Sequence, residues 1–290
     1  MNVRVIQLLN HYPDDSTCSG GDPLGTLCAF GYHDAIEIYT ERQVNILSDK
    51  MNAQMTLWKM MENITIEKMN GTHTMHLVSG IFEEKLQEKE AKFWKSDEMF
   101  PYYFIVMMRI AGDIPGHKIQ EQLKIENQRE NLVIYKTLEH CEIIAACKTK
   151  SYKEGIETVE ELRNNFGAQK TYSVFAIEEA LLKNKEYWEK RLKNFPERVK
   201  VQLNITMKNK QEALRFLNRL GESLAEDDQI VKSKIYDILG EQDLLFDMNN
   251  VPLEKILPFY AMGEYMSHSN EHYKKAFYNV ESRFILERRI

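Results

Sequence analysis

Residues 82–101, FEEKLQEKEAKFWKSDEMFP, are echoed by residues 177–196, IEEALLKNKEYWEKRLKNFP. In both stretches an apolar residue precedes two glutamates, an aromatic residue precedes a tryptophan, and the last phenylalanine lies 18 residues after the first position. An apolar strand follows each terminal proline, YYFIVMMRI at 102–110 and VKVQLNITM at 199–207. A repeat of this length predicts tandem structural units.

Within the units the apolar patterns predict the order strand, helix, strand, strand, helix, strand. In the middle unit Ser151 is placed to cap the second helix and Gly167 to end it. The order is the split βαβ arrangement of the ferredoxin-like fold. The sequence therefore predicts an α+β protein of three tandem ferredoxin-like (βαββαβ) units with antiparallel sheets. The units cover residues 1–98, 99–195 and 196–290, and linking helices at 83–98 and 178–195 join them, the first highly charged and therefore solvated.

The first unit departs from this pattern, because PDDSTCSGGDPLG at 13–25 stands where its first helix is expected. Such a loop could wrap a ligand with backbone N–H groups, and its His, Cys and Asp side chains could bind a metal ion or act as an acid–base pair. The alternative is an ordinary solvated connection made of turn-forming residues. The candidate ligand-binding residues of this loop and the adjoining hairpin are His11, Asp14, Asp15, Cys18, Asp22, Tyr32, His33 and Asp34.

A second candidate metal site is formed by Glu264, His268 and His272, which are four residues apart and would share one helix face. Ser269 and Asn270 between the histidines are more typical of the start of a helix than of its interior. The chain has no GxGxxG, Walker A, GxSxG or HExxH sequence, so no cofactor is indicated and no residue is assigned a catalytic role.

An acid ends the turn sequence of each predicted hairpin, at Asp34, Glu142 and Asp243. Palm-type polymerases carry acids on a similar hairpin, but they need several converging carboxylates, which the neighbouring strands lack. The simpler interpretation is an acid that accepts hydrogen bonds from turn N–H groups.

The turn LGEQD at 239–243, with the strand before it and the strand, helix and strand after it, resembles the small-ligand-binding domains of the Lrp/AsnC regulators, which are dimeric α+β barrels. The resemblance covers the last 90 residues or so best, and no helix-turn-helix precedes any unit. It implies sheets that pair across units or subunits and ligands held at the interfaces between them. Since a ferredoxin-like sheet is expected to leave one face apolar, an odd third unit would need a second chain, and a homodimer is expected.

Composition limits the class of function. The 290 residues carry a net charge of −6, which argues against a generic nucleic-acid binder. No apolar stretch is long enough to span a membrane and no signal peptide is evident, so we expect a cytoplasmic protein without a membrane partner. The favoured hypothesis is a non-catalytic regulatory or sensory protein that binds a small molecule or a partner protein between its units. The alternative is an enzyme, of the dimeric α+β barrel or metal-dependent type, with its site at the N-terminal loop and first hairpin.

Overall fold

The computed structural model describes residues 3–9, 25–30, 35–40, 73–80, 83–95, 97–112, 114–137, 143–194, 196–226, 230–261 and 275–286. Twelve strands in these ranges form two antiparallel sheets, and helices accompany both. The predicted α+β class is confirmed. Contacts divide the chain into two compact units, residues 1–29 with 33–178 and residues 30–32 with 179–290.

The first unit contains a closed barrel of eight strands. The order around the barrel is β1-β3-β2-β8-β5-β7-β6-β4, so each set of four consecutive strands follows the order fourth, first, third, second. The interior of an eight-stranded barrel is just wide enough to be filled by side chains. The strands are β1 (Val3–Leu9), β2 (Gly25–Phe30), β3 (Ala35–Thr40), β4 (His73–Gly80), β5 (Tyr102–Ile110), β6 (Leu132–Thr137), β7 (Ile143–Thr149) and β8 (Ala168–Glu178).

Three helices belong to this unit: α1 (Glu83–Phe93), α2 (Gly116–Glu126) and α3 (Tyr152–Asn165). The predicted limits of α3 are confirmed. Ser151 Oγ accepts the Glu154 N–H at 3.1 Å, and Gly167, with φ of 57°, follows the end of the helix. The polar stretch 117–131, with only Ile119, Leu123 and Ile125 apolar, predicts one helix over its whole length, but α2 ends at Glu126.

The second unit contains an open sheet of four strands in the order β10-β11-β9-β12. This is the same relative order as in each half of the barrel. The strands are β9 (Arg198–Met207), β10 (Lys232–Asp237), β11 (Leu244–Pro252) and β12 (Phe277–Ile285). The helices are α4 (Glu179–Leu182), α5 (Lys185–Asn194), α6 (Lys210–Glu226) and α7 (Leu253–Ala261).

The predicted linking helices differ from the observed ones in two respects. The second one is divided into α4 and α5, with the buried Trp188 on α5 donating its indole N–H to the Leu181 carbonyl at 2.9 Å. The first one ends at Phe93, and Glu90, Phe93 and Trp94 are buried, so its C-terminal end is not the solvated face that its charge suggests. Among the described residues no helix is long and apolar enough to cross a membrane.

Candidate functional site

The residues that the sequence singles out fall outside the described ranges. These are the eight candidate ligand-binding residues of the N-terminal loop and first hairpin and the metal candidates Glu264, His268 and His272. Within the described ranges, no group of three or more His, Cys, Asp or Glu side chains could hold a metal ion.

One of the three hairpin acids can be placed. Asp243 Oδ2 accepts the Met207 N–H at 2.8 Å, and the Asp243 N–H donates to the Ile205 carbonyl at 2.8 Å. The Asp243 side chain thus accepts a backbone N–H, but from the end of β9 and not from its own turn, whereas Asp34 and Glu142 lie outside the described residues.

The interior of the barrel is filled by one cluster of buried side chains from seven strands and the end of α1. Phe93 and Trp94 enter this cluster, and the Trp94 ring stacks on the Tyr103 ring with centroids 5.8 Å apart and planes 3° from parallel. Three strand residues in the cluster are alanines, whose small side chains admit these bulky rings. The cluster consists of Ile6, Leu27, Ala29, Ile36, Phe93, Trp94, Tyr103, Ile105, Met107, Val133, Tyr135, Ile144, Ala146, Val174 and Ala176.

Lys148 lies at the end of the barrel where β5 begins and β7 and β8 end. It is opposite Tyr103 in the β5–β7 ladder and only 5% exposed. Its ammonium donates a hydrogen bond to the Lys95 carbonyl and lies 5.0 Å from the centre of the Tyr103 ring and 5.4 Å from that of Phe93. No ion pair of Lys148 within 4.0 Å is found among the described residues. Among the described residues, the close contacts of this buried cation are a carbonyl oxygen and two ring faces, and the negative charges of Glu178 and Asp97 act on it from farther away.

Tyr103 and Glu178 form the second polar element at this end. The Tyr103 hydroxyl donates to Glu178 Oε1 at 2.7 Å, and the Trp94 indole N–H donates to the Tyr135 hydroxyl at 3.4 Å. These contacts orient the aromatic rings around the ammonium of Lys148.

Burial dominates the electrostatics of the cluster. Desolvation lowers the pKa of Lys148 below its ordinary value, while the negative charges of Glu178 and Asp97 act in the opposite direction. Desolvation also raises the pKa of Tyr103, and the adjacent Glu178 raises it further. Tyr103 therefore stays protonated and keeps donating its hydrogen bond to Glu178.

This arrangement offers three chemical features to a ligand: a buried cation, flat aromatic surfaces and a tyrosine–glutamate pair. An ammonium in low-polarity surroundings attracts an anion more strongly than one in water. Aromatic walls with a few oriented polar groups are typical of small-molecule sites. We therefore define Phe93, Trp94, Tyr103, Lys148 and Glu178 as the barrel-end site.

The sequence contains a signal for Lys148 that motif searches do not use. The β7 strand reads IIAACKT, and Lys148 follows Ile144 and Ala146 at intervals of two residues. Side chains at such intervals share one face of a strand, so Lys148 continues an apolar face that enters the barrel. A lysine at the end of such a face indicates either a rim position or a buried cation.

A groove of about 540 Å³ lies elsewhere in the first unit, between the start of α2 and the end of α3. Its walls include Ile125, which is 53% exposed, and the exposed Lys118 and Glu121. These groups are already solvated, so a ligand there would gain less than one that pairs with the buried Lys148.

No protein-family model, no curated protein and no solved structure matches this chain.

Proposed function

We propose that the protein is a non-catalytic sensory or regulatory protein that binds a small anionic molecule at the barrel-end site. The observation that carries this proposal is the buried ammonium of Lys148, which has no ion pair within 4.0 Å among the described residues. A buried charge without a counter-ion costs free energy, and a ligand carboxylate or phosphate beside Lys148 would recover part of it.

The aromatic rings define the rest of the ligand. Phe93 and Tyr103 present ring faces to the ammonium and the Trp94 ring stacks on Tyr103, so a planar aromatic anion matches the site better than a flexible aliphatic one. The Trp94 ring already occupies the space against Tyr103. A ligand that stacks on Tyr103 must displace Trp94, and this movement of the residues that follow α1 would be the signal of a sensor.

We also propose that the chain consists of the three ferredoxin-like units that the sequence predicts. The units 1–98 and 99–195 together close into the barrel, and the unit 196–290 forms the open sheet. The strand order fourth, first, third, second in every set of four strands supports this division. The barrel-end site then lies where the first two units combine, in keeping with the predicted binding between units. The resemblance to Lrp/AsnC domains, the homodimer and the cytoplasmic location stay predictions.

The enzyme alternative also stays a prediction, because its site at the N-terminal loop and first hairpin lies outside the described residues.

The proposal is tested by thermal melts with three aromatic carboxylates, namely 4-hydroxybenzoate, phenylpyruvate and indole-3-acetate. At about 100 times its Kd, a ligand that binds only the folded state stabilises it by about 2.7 kcal/mol. Lys148→Met should abolish this stabilisation, because the thioether keeps the volume and removes the charge. Lys170→Met, which replaces an exposed lysine on β8, is the matched control and should respond as the wild type does.

Tryptophan fluorescence with 4-hydroxybenzoate or phenylpyruvate provides a second measurement, because displacement of the Trp94 ring should change the emission of the wild type but not that of Trp94→Phe. Equal stabilisation of the Lys148→Met variant would place the site elsewhere. The proposal also fails if none of the three compounds stabilises the protein and native mass spectrometry of the purified protein detects no retained anion.

A further inference from the structure

The open sheet has two faces of opposite character. One face packs on helices: the Phe277 ring contacts the Phe216 ring of α6, and a Cβ added at Gly221 of α6 would approach Ser233 and Phe246. Residues that alternate with Ser233 on β10 and with Phe246 on β11, and the β9 and β12 residues opposite them in the ladders, therefore point away from α6. We call the side that they form the polar face.

The polar face is a grid of side chains in register across four strands. One row runs Lys234, Asp247, Gln202, Arg283 from β10 to β12, and the next runs Tyr236, Leu245, Asn204, Glu281. Two further pairs, Lys232 with Asn249 and Lys200 with Ile285, extend the grid on either side of a bulge in β11.

A single buried carboxylate organises the middle of this face. Asp247 is 7% exposed, and its Oδ1 atom accepts from Gln202 Nε2 at 3.1 Å and pairs with Lys200 Nζ at 3.1 Å. Its Oδ2 atom is 3.4 Å from Asn249 Nδ2. The amide groups of Gln202 and Asn249 are therefore held in place before any partner arrives, which lowers the entropy cost of binding.

The cations around this centre are exposed, and Lys234 lies opposite Asp247 in the β10–β11 ladder. Lys232, Lys234 and Arg283 are exposed, and none of them belongs to an ion pair among the described residues. The grid carries four cations, Lys200, Lys232, Lys234 and Arg283, against two acids, Asp247 and Glu281. The net charge of the grid is therefore positive, whereas the whole chain has a net charge of −6.

We propose that the polar face binds single-stranded nucleic acid. Lys234 and Arg283 lie on the two edge strands, about 14 Å apart across three strand spacings, so together they can contact separate phosphates. Tyr236 is 43% exposed in the same grid and offers a ring on which a base can stack. The amides between them can hydrogen-bond to base edges, and unstacked bases are what sheet surfaces of this kind recognise.

Two other occupants fit less well. A second copy of the same face would bring like charges together, because each copy carries the same excess of cations. An acidic protein surface would satisfy the cations, but it would leave Tyr236 without a specific role.

The experiment is fluorescence anisotropy with labelled oligonucleotides of about 12 nucleotides, a length within the range that single-strand-binding sites cover. Single-stranded RNA, single-stranded DNA and a duplex of the same sequence are compared between about 50 and 200 mM salt. Either single strand should bind more tightly than the duplex. Three phosphate contacts predict a slope of log affinity against log salt of about −2.

Variants separate charge from stacking. Lys234→Gln with Arg283→Gln should lower the affinity at least tenfold and reduce the salt slope by about 1.4, since two phosphate contacts are lost. Tyr236→Ala should weaken binding about tenfold and leave the salt slope unchanged. Lys190→Gln with Lys193→Gln, two exposed lysines of α5, is the matched control and should bind as the wild type does.

Thermal melts establish that each variant is folded. The proposal is overturned if no single strand binds at the lowest salt concentration. It is equally overturned if a polyglutamate peptide binds more tightly than either single strand, because the face would then belong to an acidic protein.

Discussion

Strands β5 and β9 hold the same place in two different sheets, and their sequences differ in period. Each lies between two antiparallel neighbours and follows a phenylalanine–proline pair, but β5 reads YYFIVMMRI and β9 reads RVKVQLNITM. All but one residue of β5 are buried, whereas buried residues alternate with partly exposed ones along most of β9. The burial of the second face of the strand therefore distinguishes the closed sheet from the open one.

The side of β9 that faces away from the helices is polar, whereas the corresponding side of β5 is apolar. Tyr103, Ile105 and Met107 of β5 lie in the barrel interior, whereas the non-helical side of β9 carries Lys200, Gln202 and other polar groups. The expectation that the third unit leaves an apolar face in need of a second chain is therefore wrong. The homodimer stays a prediction, but it can no longer be argued from that face.

The largest expected effect comes from removing one buried tryptophan from each of the two compact units. Trp94→Ala removes a ring that stacks on Tyr103, and Trp188→Ala removes one that is 2% exposed on α5. Each should cost about 3 to 5 kcal/mol, since neighbouring side chains only partly refill such a cavity. Urea denaturation measures the loss, and hydrogen exchange locates it.

Each alanine variant should increase hydrogen exchange in one sheet only. Trp94→Ala should raise exchange in β5 and β7 and spare β9 and β11, and Trp188→Ala should do the reverse. Trp94→Phe, which keeps an aromatic ring, should lose less stability than Trp94→Ala. If either alanine variant exposes both sheets equally, the two units do not unfold separately.

Local signals explain how much of the fold could be predicted. Ser151 and Gly167 set the limits of α3 through short-range hydrogen bonding and backbone conformation, and the sequence displays both. Closure of the barrel depends on pairs such as Gly80 with Tyr135, which lie 55 positions apart along the chain. Residue patterns carry no information about which distant strands pair, so the closed barrel could not be derived from them.

A pair of helical glycines tests the packing of helices on each sheet. A Cβ on Gly155 of α3 would lie 1.9 Å from Phe104 Cε2, and that ring is held between Tyr152 and Phe175. Gly155→Ala should therefore cost about 1 to 3 kcal/mol in urea denaturation, as overpacked core residues do.

Gly221 of α6 is the matched position over the open sheet. Its added Cβ would lie 2.6 Å from Ser233 Oγ, which ends a rotatable side chain on an exposed strand. Because alanine favours a helix over glycine by up to about 1 kcal/mol, Gly221→Ala should be neutral or stabilising. A loss at Gly221 as large as that at Gly155 would show that both sheets are packed with equal tightness.

The barrel-end site was harder to predict than the fold because its meaning depends on tertiary burial. Lys148 lies at the end of an apolar strand, where a lysine usually reaches solvent, and Trp94 follows a helix whose charge suggests solvation. Only the closure of the barrel and the position of the α1 end make both of them interior residues.

Two of the buried charged groups, Glu254 and Lys148, have shifted pKa values and should respond to pH in opposite directions. Glu254 of α7 is buried, and desolvation raises its pKa to about 7 from an ordinary value of 4.5, although Arg191 lies 3.7 Å away and the Glu197 N–H donates to it. The folded state thus binds this proton more tightly than the unfolded state. Stability from Glu254 is complete below pH 4.5 and is lost as the pH rises to about 7.

Urea denaturation of the wild type should therefore show the second unit losing about 2 kcal/mol between pH 5 and pH 8, with Glu254→Gln removing this dependence. Glu186→Gln, an exposed change on α5, should keep it.

The lowered pKa of Lys148 has the opposite consequence, because the unfolded state binds the Lys148 proton more tightly than the folded state does. The stability of the barrel should therefore rise with pH on the alkaline side, as the pH approaches the ordinary lysine pKa of 10.5. Lys148→Met should flatten that rise, and hydrogen exchange of β7 and α7 peptides assigns each trend to its unit. Identical pH profiles for the wild type and Glu254→Gln would show that Glu254 keeps an ordinary pKa despite its burial.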